Sequence, residues 1–364
     1  MELSRHTDNA TDHPSVTGAR PPPIPLPVRL WLVAIAAMIF AMVIVGGATR
    51  LTDSGLSITE WKPLLGALPP LSDADWRDVF AKYRQIPEYR LVNQGMSLAD
   101  FKAIFWWEWG HRLLGRLIGV VFFVPMVIFW LRGAIARDLM PKLVAVFVLG
   151  GLQGLLGWYM VKSGLVDRVD VSQYRLAAHL GLAVAIYGLV IWIALAGGSG
   201  PRSAAASRAT IGGVLLLGLV YLQILLGALV AGLDAGLAHN TWPLMAGRWL
   251  PEGLAAMSPG WRNLFENALT VQFDHRIVAY AILAGLGAHL WSLGRAGHLG
   301  VPGPLRTSAL AAAIAALAQV GLGIWTLLAH VPLALALAHQ AGALILFATL
   351  VWHLGALVQG KSAT

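Results

Sequence analysis

The chain has 364 residues, of which 57% are hydrophobic and only 12% carry a charged side chain. Soluble domains have about 25% charged residues, so this composition predicts an all-α polytopic membrane protein. The formal charge of +8 comes from basic residues spread over loops and helix ends, which argues against nucleic-acid binding. The absence of cysteine excludes disulfides, thiolate metal sites and iron–sulfur ligation.

The N-terminal residues, 1–28, are polar and end in a proline-rich strip, which predicts a short disordered tail on the cytoplasmic side. Eight apolar runs follow, each long enough to cross a hydrocarbon core of about 30 Å as a helix. These predicted spans lie at about 29–48, 104–131, 142–161, 175–197, 209–232, 268–292, 305–329 and 333–357.

Basic residues are more frequent in the short loops after the even-numbered spans than in the short loops on the other side. The loop after span two carries Arg132, Arg137 and Lys142, whereas the loop between spans seven and eight has no Lys or Arg. The positive-inside rule therefore places both termini in the cytoplasm. The two long loops, about 49–103 and 233–267, then lie on the outer face.

The two halves of the chain repeat each other. We therefore predict eight transmembrane helices arranged as two tandem pseudo-symmetric four-helix bundles, over residues 29–200 and 201–364. The matched pairs are Asp53 and Asp234, Gly55 and Gly236, Trp61 and Trp242, and Gly66 and Gly247 (each 181 apart), then His111 and His275 (164 apart), Gln153 and Gln319 (166 apart), and His179 and His339 (160 apart).

Four histidines share one place in this repeat, near the start of spans two, four, six and eight, which all enter from the outer face. Each lies four to seven residues inside its span, roughly 6–10 Å deep at about 1.5 Å per residue. They are His111, His179, His275 and His339. A lone histidine in a membrane helix is usually an interhelical hydrogen-bonder. Opposed imidazoles on facing helices, however, can hold a haem iron from both sides, and we interpret the matched set as metal or haem ligands.

The other seven histidines do not follow the repeat, and we predict no ligand role for them, although His239 in HNTWP could line an outer pocket. They are His6, His13, His239, His289, His298, His330 and His353.

The stretch IFWWEWGHRLLGRLIG at 104–119 places Glu108 three residues before His111, so both project from one helical face. The matching stretch of the second half has Gln272 instead. A carboxylate can exchange protons or stabilise positive charge, and an amide cannot. We therefore interpret the N-terminal half as a reaction chamber and the C-terminal half as an electron store. The alternative role for Glu108 is an ion pair with Arg112 or Arg116.

Two weaker features remain open. Arg112 and Arg276 directly follow the repeated histidines and could contact haem propionates, but arginine near a helix end is commonly an interfacial anchor. The glycine-rich runs at 150–157 and 212–218 favour close approach of neighbouring helices.

These motifs resemble those of the haem A synthase family. The resemblance rests on GGATRLTDSGLSITEWKPLLGALPPL after span one, FWWEWGHRLLGR in span two, DHR in span six, and the histidines of spans four and eight. It covers residues 30–357. Because the chain lacks cysteine, it is similar to the cysteine-free branch of the family, found in mitochondria and related bacteria.

The resemblance implies oxidation of a methyl group of haem O to the formyl group of haem A, for insertion into cytochrome oxidase. Carried over by position, His275 and His339 are the axial ligands of a haem b cofactor. His111 and His179 face the iron of the substrate haem O, and Glu108 is the catalytic carboxylate. We expect a bacterial inner-membrane protein in contact with lipid, supplied by a haem O synthase, with an electron acceptor that the sequence does not identify. A homo-oligomer is compatible with this expectation.

Two other functions fit parts of the sequence. A di-haem b-type electron-transfer cytochrome needs the same four histidines but has no use for the contrast between Glu108 and Gln272. A transporter fits a repeated membrane bundle, but the polar groups here lie near one face, and no broken-helix signal recurs at mid-span.

Overall fold

The structure is a computed structural model that describes residues 24–62, 65–167, 169–196, 208–300 and 303–359. Within these ranges it contains helices and loops but no β-strand. Eight helices are long and apolar enough to cross a membrane, which confirms the all-α polytopic class. They are α1 (Leu26–Leu51), α2 (Leu98–Leu131), α3 (Met140–Asp167), α4 (Gln173–Ala196), α5 (Arg208–Gly232), α6 (Ala268–Arg295), α7 (Pro304–Leu328) and α8 (Leu333–Gln359).

The predicted ends differ most from the observed ones at the end of α3, which lies at Asp167 rather than near residue 161, and at the start of α2. Helix α2 begins at Leu98 rather than near residue 104, because Ser97 and Asp100 form a capping box that starts the helix outside the apolar run. His111 therefore lies in the fourth turn of its helix and not in the second. Most of the predicted tail, 1–23, lies outside the described residues, and residues 26–28 belong to α1.

The eight helices divide into an inner and an outer set. Helices α1, α4, α5 and α8 pack against one another, and α2, α3, α6 and α7 pack on α1, α4, α5 and α8 respectively. The core between the inner helices contains side chains that are almost fully buried, such as Leu32, Val184 and Leu344. Under the repeat, α1 corresponds to α5 and α4 to α8, so the inner helices of one half match the inner helices of the other.

The first long loop is folded rather than extended. It contains two short helices, Asp73–Tyr83 and Pro87–Leu91, and its apolar side chains form a cluster separate from the membrane core. Trp76, for example, packs edge-on against Phe105 of α2 with ring centres 4.9 Å apart. We call this cluster the outer cap; its buried members are Leu56, Trp76, Tyr83, Ile86, Tyr89, Phe101, Phe105 and Val171.

Candidate functional site

The structure brings the ring of His275 of α6 close to the ring of His339 of α8. Their ring centres are 6.5 Å apart and the ring planes are inclined by 73°, and both residues are half-buried. Because a metal–imidazole bond is about 2 Å long, one metal atom fits between two rings at this separation. The second-half pair thus has the geometry of a two-histidine metal site.

Glutamines on neighbouring helices donate hydrogen bonds to the backbone oxygens of both histidines. Gln223 donates to the backbone oxygen of His275 at 2.9 Å, and Gln319 does the same for His339 at 2.9 Å. The Gln319 amide also lies 3.1 Å from Nδ1 of His339, which leaves the Nε2 atom of that ring free of this contact.

His179 of α4, in the first half, is held in a related way, but its ring has the opposite orientation. Gln153 donates to the backbone oxygen of His179 at 3.0 Å, but its amide approaches Nε2 of that ring, at 3.4 Å. Nδ1 of His179 is buried and has no hydrogen-bond partner. The two repeat-related rings therefore present different nitrogen atoms to the equivalent glutamines, Gln153 and Gln319.

Each of the four repeated histidines lies against a glycine of a neighbouring helix. A Cβ atom added to the glycine would lie 2.7–3.3 Å from the nearest ring atom, closer than ordinary van der Waals contact. The glycines themselves follow the repeat: Gly46 and Gly227 have the spacing of the outer-loop pairs, and Gly157 and Gly323 have that of Gln153 and Gln319. The contacts are Gly46 with His111, Gly157 with His179, Gly227 with His275, and Gly323 with His339.

The close approaches made by these glycines correct the predicted role of the first glycine-rich run, 150–157. In the second run, Gly212 and Gly213 do lie close to side chains of α6 and α8, as predicted. A Cβ at Gly150, Gly151 or Gly154 would meet no atom within 4 Å outside its own helix turn and chain neighbours. In the first run only Gly157 makes a close approach, and its neighbour is a histidine ring. Sequence reasoning missed this function of glycine, although the shared offsets could have indicated it.

Glu108 is buried, with 2% of its surface exposed, and its carboxylate accepts from three donors. Ser57 Oγ and the Ile58 backbone nitrogen lie 2.8 and 2.6 Å from Oε2. Arg112 lies 2.5 Å from Oε1, so the ion pair considered as the alternative role for Glu108 is present. Arg116 instead donates to the backbone oxygen of Lys62.

Gln272 occupies the equivalent place with the opposite hydrogen-bond polarity. It is also buried, but its Nε2 donates to the backbone oxygens of Ala235 and His239 at 3.0 and 3.3 Å. Both side chains therefore tie a helix to its outer loop. Glu108 does so as a charged acceptor, and Gln272 mainly as a neutral donor.

The two arginines after the repeated histidines make the same contact in each half. Arg112 donates to the backbone oxygens of Ile58 and Glu60. Arg276 donates to the oxygens of the two repeat-related residues in the second long loop, His239 and Thr241. The structure gives these arginines a contact that neither interpretation named: they anchor the two long loops to α2 and α6.

The sequence of the chain is similar to those of known proteins. A family model described as "Cytochrome oxidase assembly protein" (COX15-CtaA) matches residues 29–351. The chain belongs to the COX15-CtaA family. Curated proteins named Heme A synthase are similar to it: that of Parvibaculum lavamentivorans is 53% identical over 326 residues, covering 90% of this chain and 93% of the relative. Those of Maricaulis maris (51% identical, 89% and 94% covered) and Nitrosospira multiformis (52% identical, 90% and 92% covered) are also similar.

In this member of the COX15-CtaA family, one arginine joins the two halves at the end of the bundle that carries the two long loops. Arg50, near the end of α1, pairs with Asp53 at 3.1 Å and with Asp170 at 3.3 Å in the first half. It also pairs with Asp234 at 3.2 Å and donates to the backbone oxygen of Ala231 in the second half. Burial raises the pKa of Asp170, while Arg50 lowers it. The repeat does not indicate this junction, because the position that corresponds to Arg50 in the second half is an alanine, Ala231.

The family match spans all four repeated histidines and Glu108, and the second-half pair has donors that suit a haem iron. The rings of His275 and His339 lie close together, and the buried Nδ1 of His275 lacks a hydrogen-bond partner. All four repeated histidines are half-buried rather than sealed in the core. This donor set of neutral imidazoles suits iron in a porphyrin.

Proposed function

We propose that this chain is a haem A synthase, which oxidises a methyl group of haem O to the formyl group of haem A for cytochrome oxidase. Identity of 53% to a protein of that name over 90% of the chain supports the proposal. The main structural support is the asymmetry of the repeat. Glu108 accepts from three donors at the place where the second half has an amide.

The two halves are assigned different tasks. In the C-terminal half, residues 201–364, His275 and His339 would hold the iron of a resident haem b. Bound there, haem b supplies a one-electron redox centre that accepts electrons from the reaction. In the N-terminal half, residues 29–200, His111 and His179 would hold the iron of the substrate haem O.

Glu108 lies one turn from His111 on the same face of α2, so a porphyrin held by that histidine would have part of its rim near the carboxylate. Conversion of the methyl group to a formyl group requires two successive two-electron oxidations. In each of them water supplies a hydroxyl group, and two electrons and two protons are released; the methyl group becomes the alcohol and then a geminal diol, which loses water to leave the formyl group. Glu108 accepts protons released in these steps or stabilises positive charge that develops at the methyl carbon. Ser57, Ile58 and Arg112 keep the carboxylate in place.

The outer cap positions the donors that hold the Glu108 carboxylate. Leu56 of the cap directly precedes Ser57, and Ile58 packs against the cap while its backbone donates to Glu108. Folding of the cap therefore fixes the donors that orient the carboxylate.

The decisive test is pigment extraction from membranes that contain the chain and a source of haem O. We expect haem A from the wild type. The Glu108→Gln variant should retain haem b and form no haem A, because an amide does not exchange protons. The matched control is Gln272→Glu, which places a carboxylate at the equivalent position of the second half. Normal haem A formation by Glu108→Gln would refute the catalytic assignment.

The same extraction separates the synthase from the competing function. A di-haem b-type electron-transfer cytochrome would bind haem through the same four histidines but would yield no formyl haem. The contrast between Glu108 and Gln272 favours the synthase, because electron transfer between two haems does not require a carboxylate in one half only.

We also propose that the protein lies in the bacterial inner membrane with both termini in the cytoplasm, and that a haem O synthase supplies its substrate. The absence of native cysteine allows a direct topology test. A single cysteine introduced as Asp73→Cys, in the first long loop, should react with an impermeant maleimide added to the outer side of the membrane. Asp138→Cys, in the loop between α2 and α3, should be protected. Reversed labelling would contradict the orientation.

A further inference from the structure

A second pair of histidines lies in the same two helices as the His275–His339 pair. His289 of α6 and His353 of α8 place their Nε2 atoms 3.0 Å apart, with ring centres 5.2 Å apart and ring planes nearly perpendicular. We call His275 and His339 the upper pair and His289 and His353 the lower pair. In each helix the lower histidine follows the upper one by the same interval of 14 residues. That interval is about four helical turns, which places the lower pair about 21 Å further along the bundle.

The lower pair differs from the upper pair in how it is enclosed. His289 and His353 are 7% and 1% exposed, whereas both upper histidines are half-buried. Gly212 of α5 lies against the His289 ring, where an added Cβ would be 2.6 Å from Nδ1. There is no space for a porphyrin between rings packed in this way, whereas a single ion needs only a small separation of the two Nε2 atoms.

A hydroxyl group orients the ring of His353. Ser308 Oγ lies 3.0 Å from Nδ1 of His353, and it donates to the backbone oxygen of Leu305 at 3.0 Å. Serine has one hydroxyl hydrogen, so both contacts are satisfied together when Nδ1 of His353 carries the proton and donates to Oγ. The Nε2 atom of His353 then has a free lone pair directed at His289. A hydrogen bond to the distal ring nitrogen is typical of histidines that bind metals.

We propose that His289 and His353 form a binding site for a single low-coordinate metal ion, Cu(I). Two-coordinate Cu(I) binds its ligands nearly in line, so two metal–imidazole bonds of about 2 Å place the nitrogen atoms about 4 Å apart. The two Nε2 atoms, 3.0 Å apart in the structure, must therefore separate by about 1 Å when the ion binds. In the metal-free protein the two nitrogens share a hydrogen bond. Ion binding replaces it, and the Nε2 hydrogen of His289 moves to Nδ1 of the same ring, so no proton is released.

The donor set selects the ion. Among the described residues no group of three or more His, Cys, Asp or Glu side chains is placed to hold a metal. Structural Zn²⁺ sites require four ligands, and Mg²⁺ and Ca²⁺ require oxygen ligands. Imidazole is a suitable ligand for copper, and Cu(I) accepts two ligands. A monovalent ion also costs less than a divalent ion to bury among apolar side chains.

This site is independent of the proposed haem chemistry. His353 lies beyond the end of the family match at residue 351. Neither lower histidine has a counterpart in the first half, where the offsets of the upper histidines lead to Pro125 and Ile193. The lower pair is therefore an addition to the repeat and not a copy of a haem site.

The test is titration of the full-length, haem-loaded protein with Cu(I) under anaerobic, reducing conditions, in competition with a chromophoric Cu(I) chelator. We expect one Cu(I) per chain, and X-ray absorption should show two nitrogen ligands at about 2 Å. His353→Leu should abolish this binding, and Ser308→Ala should weaken it by about 10–100-fold. His298→Leu, which changes an exposed histidine beyond the end of α6, should have no effect.

Haem content and haem A formation are measured on every variant, so loss of copper binding is separated from loss of the fold or of the synthase activity. If the wild type binds no Cu(I), or if His353→Leu retains the same stoichiometry and affinity, the proposal is wrong. Should His353→Leu fail to fold, Ser308→Ala and the ligand count from X-ray absorption decide the question. Unchanged affinity in Ser308→Ala together with sulfur ligands would then overturn it.

Discussion

Gln340 donates a hydrogen bond from Nε2 to the backbone oxygen of Val43 at 2.9 Å, between the last helix of the chain and the first. Gln340 directly follows His339, and Val43 lies one turn before the Gly46–Gly47 pair of α1. Gly46 contacts the ring of His111, and the Gln340 amide lies against Gly47. The two proposed haem sites are therefore connected by one side chain and one helix turn.

The first prediction concerns Gly47→Ala. A Cβ at this position would overlap the amide of Gln340, so the side chain must leave its place and the hydrogen bond to Val43 is lost. We expect a loss of about 1–3 kcal/mol of stability, typical of overpacking, and weaker retention of haem b. Haem content and thermal unfolding in detergent measure both effects. Gly218→Ala, where an added Cβ meets nothing within 4 Å, is the control, and equal behaviour of the two variants would contradict the prediction.

The second prediction tests the two proposed haem sites separately, by adding one methyl group next to a histidine of each site. In Gly323→Ala the new Cβ would lie 2.7 Å from His339 Cε1, and in Gly157→Ala it would lie 2.8 Å from His179 Cε1. We expect Gly323→Ala to lose haem b and, with it, haem A formation. We expect Gly157→Ala to retain haem b but to form haem A much more slowly, because only the substrate site is displaced.

The same helices provide controls for this pair. Gly321 and Gly154 have no atom within 4 Å of an added Cβ, so Gly321→Ala and Gly154→Ala should behave as wild type in haem content and product yield. The prediction is wrong if Gly157→Ala loses haem b as completely as Gly323→Ala does.

The third prediction is a pH dependence located in the outer cap. Burial raises the pKa of Glu88 to about 8. Its Oε1 accepts from Tyr83 and Asn93, while Oε2 is buried without a partner. Because its pKa is higher in the folded than in the unfolded state, the folded state binds more protons. Stability is therefore greatest below the unfolded pKa, near 4.5, and falls as the pH rises to about 8.

The Glu88→Gln variant measures this contribution. The amide keeps the shape of the side chain and does not titrate, so the fall in unfolding temperature between about pH 4.5 and 8 should become shallower. At pH 8 and above, the variant should be the more stable protein, by on the order of a few kcal/mol. Parallel unfolding curves for the two proteins across this range would exclude the assignment.

The sequence predicts the eight spans well because a hydrocarbon core requires long, uncharged helices, and few patterns other than a membrane helix meet that requirement. The helices of the outer cap were missed for the opposite reason. Asp73–Tyr83 has a capping box but no long apolar run, and it is stabilised by packing on α2. The repeat indicates the four repeated histidines near the outer loops. It does not indicate His289 and His353, because these two residues have no counterpart in the first half.

Arg112 carries the last prediction. It pairs with the buried carboxylate of Glu108 and also holds the loop through Ile58 and Glu60. Arg112→Met removes all of these contacts and leaves a buried carboxylate without its cation, which typically costs about 3–5 kcal/mol. Arg276→Met removes the two equivalent carbonyl contacts, but its neighbour Gln272 is neutral, so no buried charge is left unpaired.

We therefore expect Arg112→Met to lower the unfolding temperature clearly more than Arg276→Met. The double variant Glu108→Gln with Arg112→Met should recover part of the loss, because it removes the unpaired charge, although it should form no haem A. Thermal unfolding of the four proteins, wild type included, gives the comparison. Equal destabilisation by the two arginine variants would mean that the carbonyl contacts, and not the ion pair, carry the energy. The carboxylate would then be held by Ser57 and Ile58 alone, and Arg112 would be only a loop anchor, as Arg276 is in the other half.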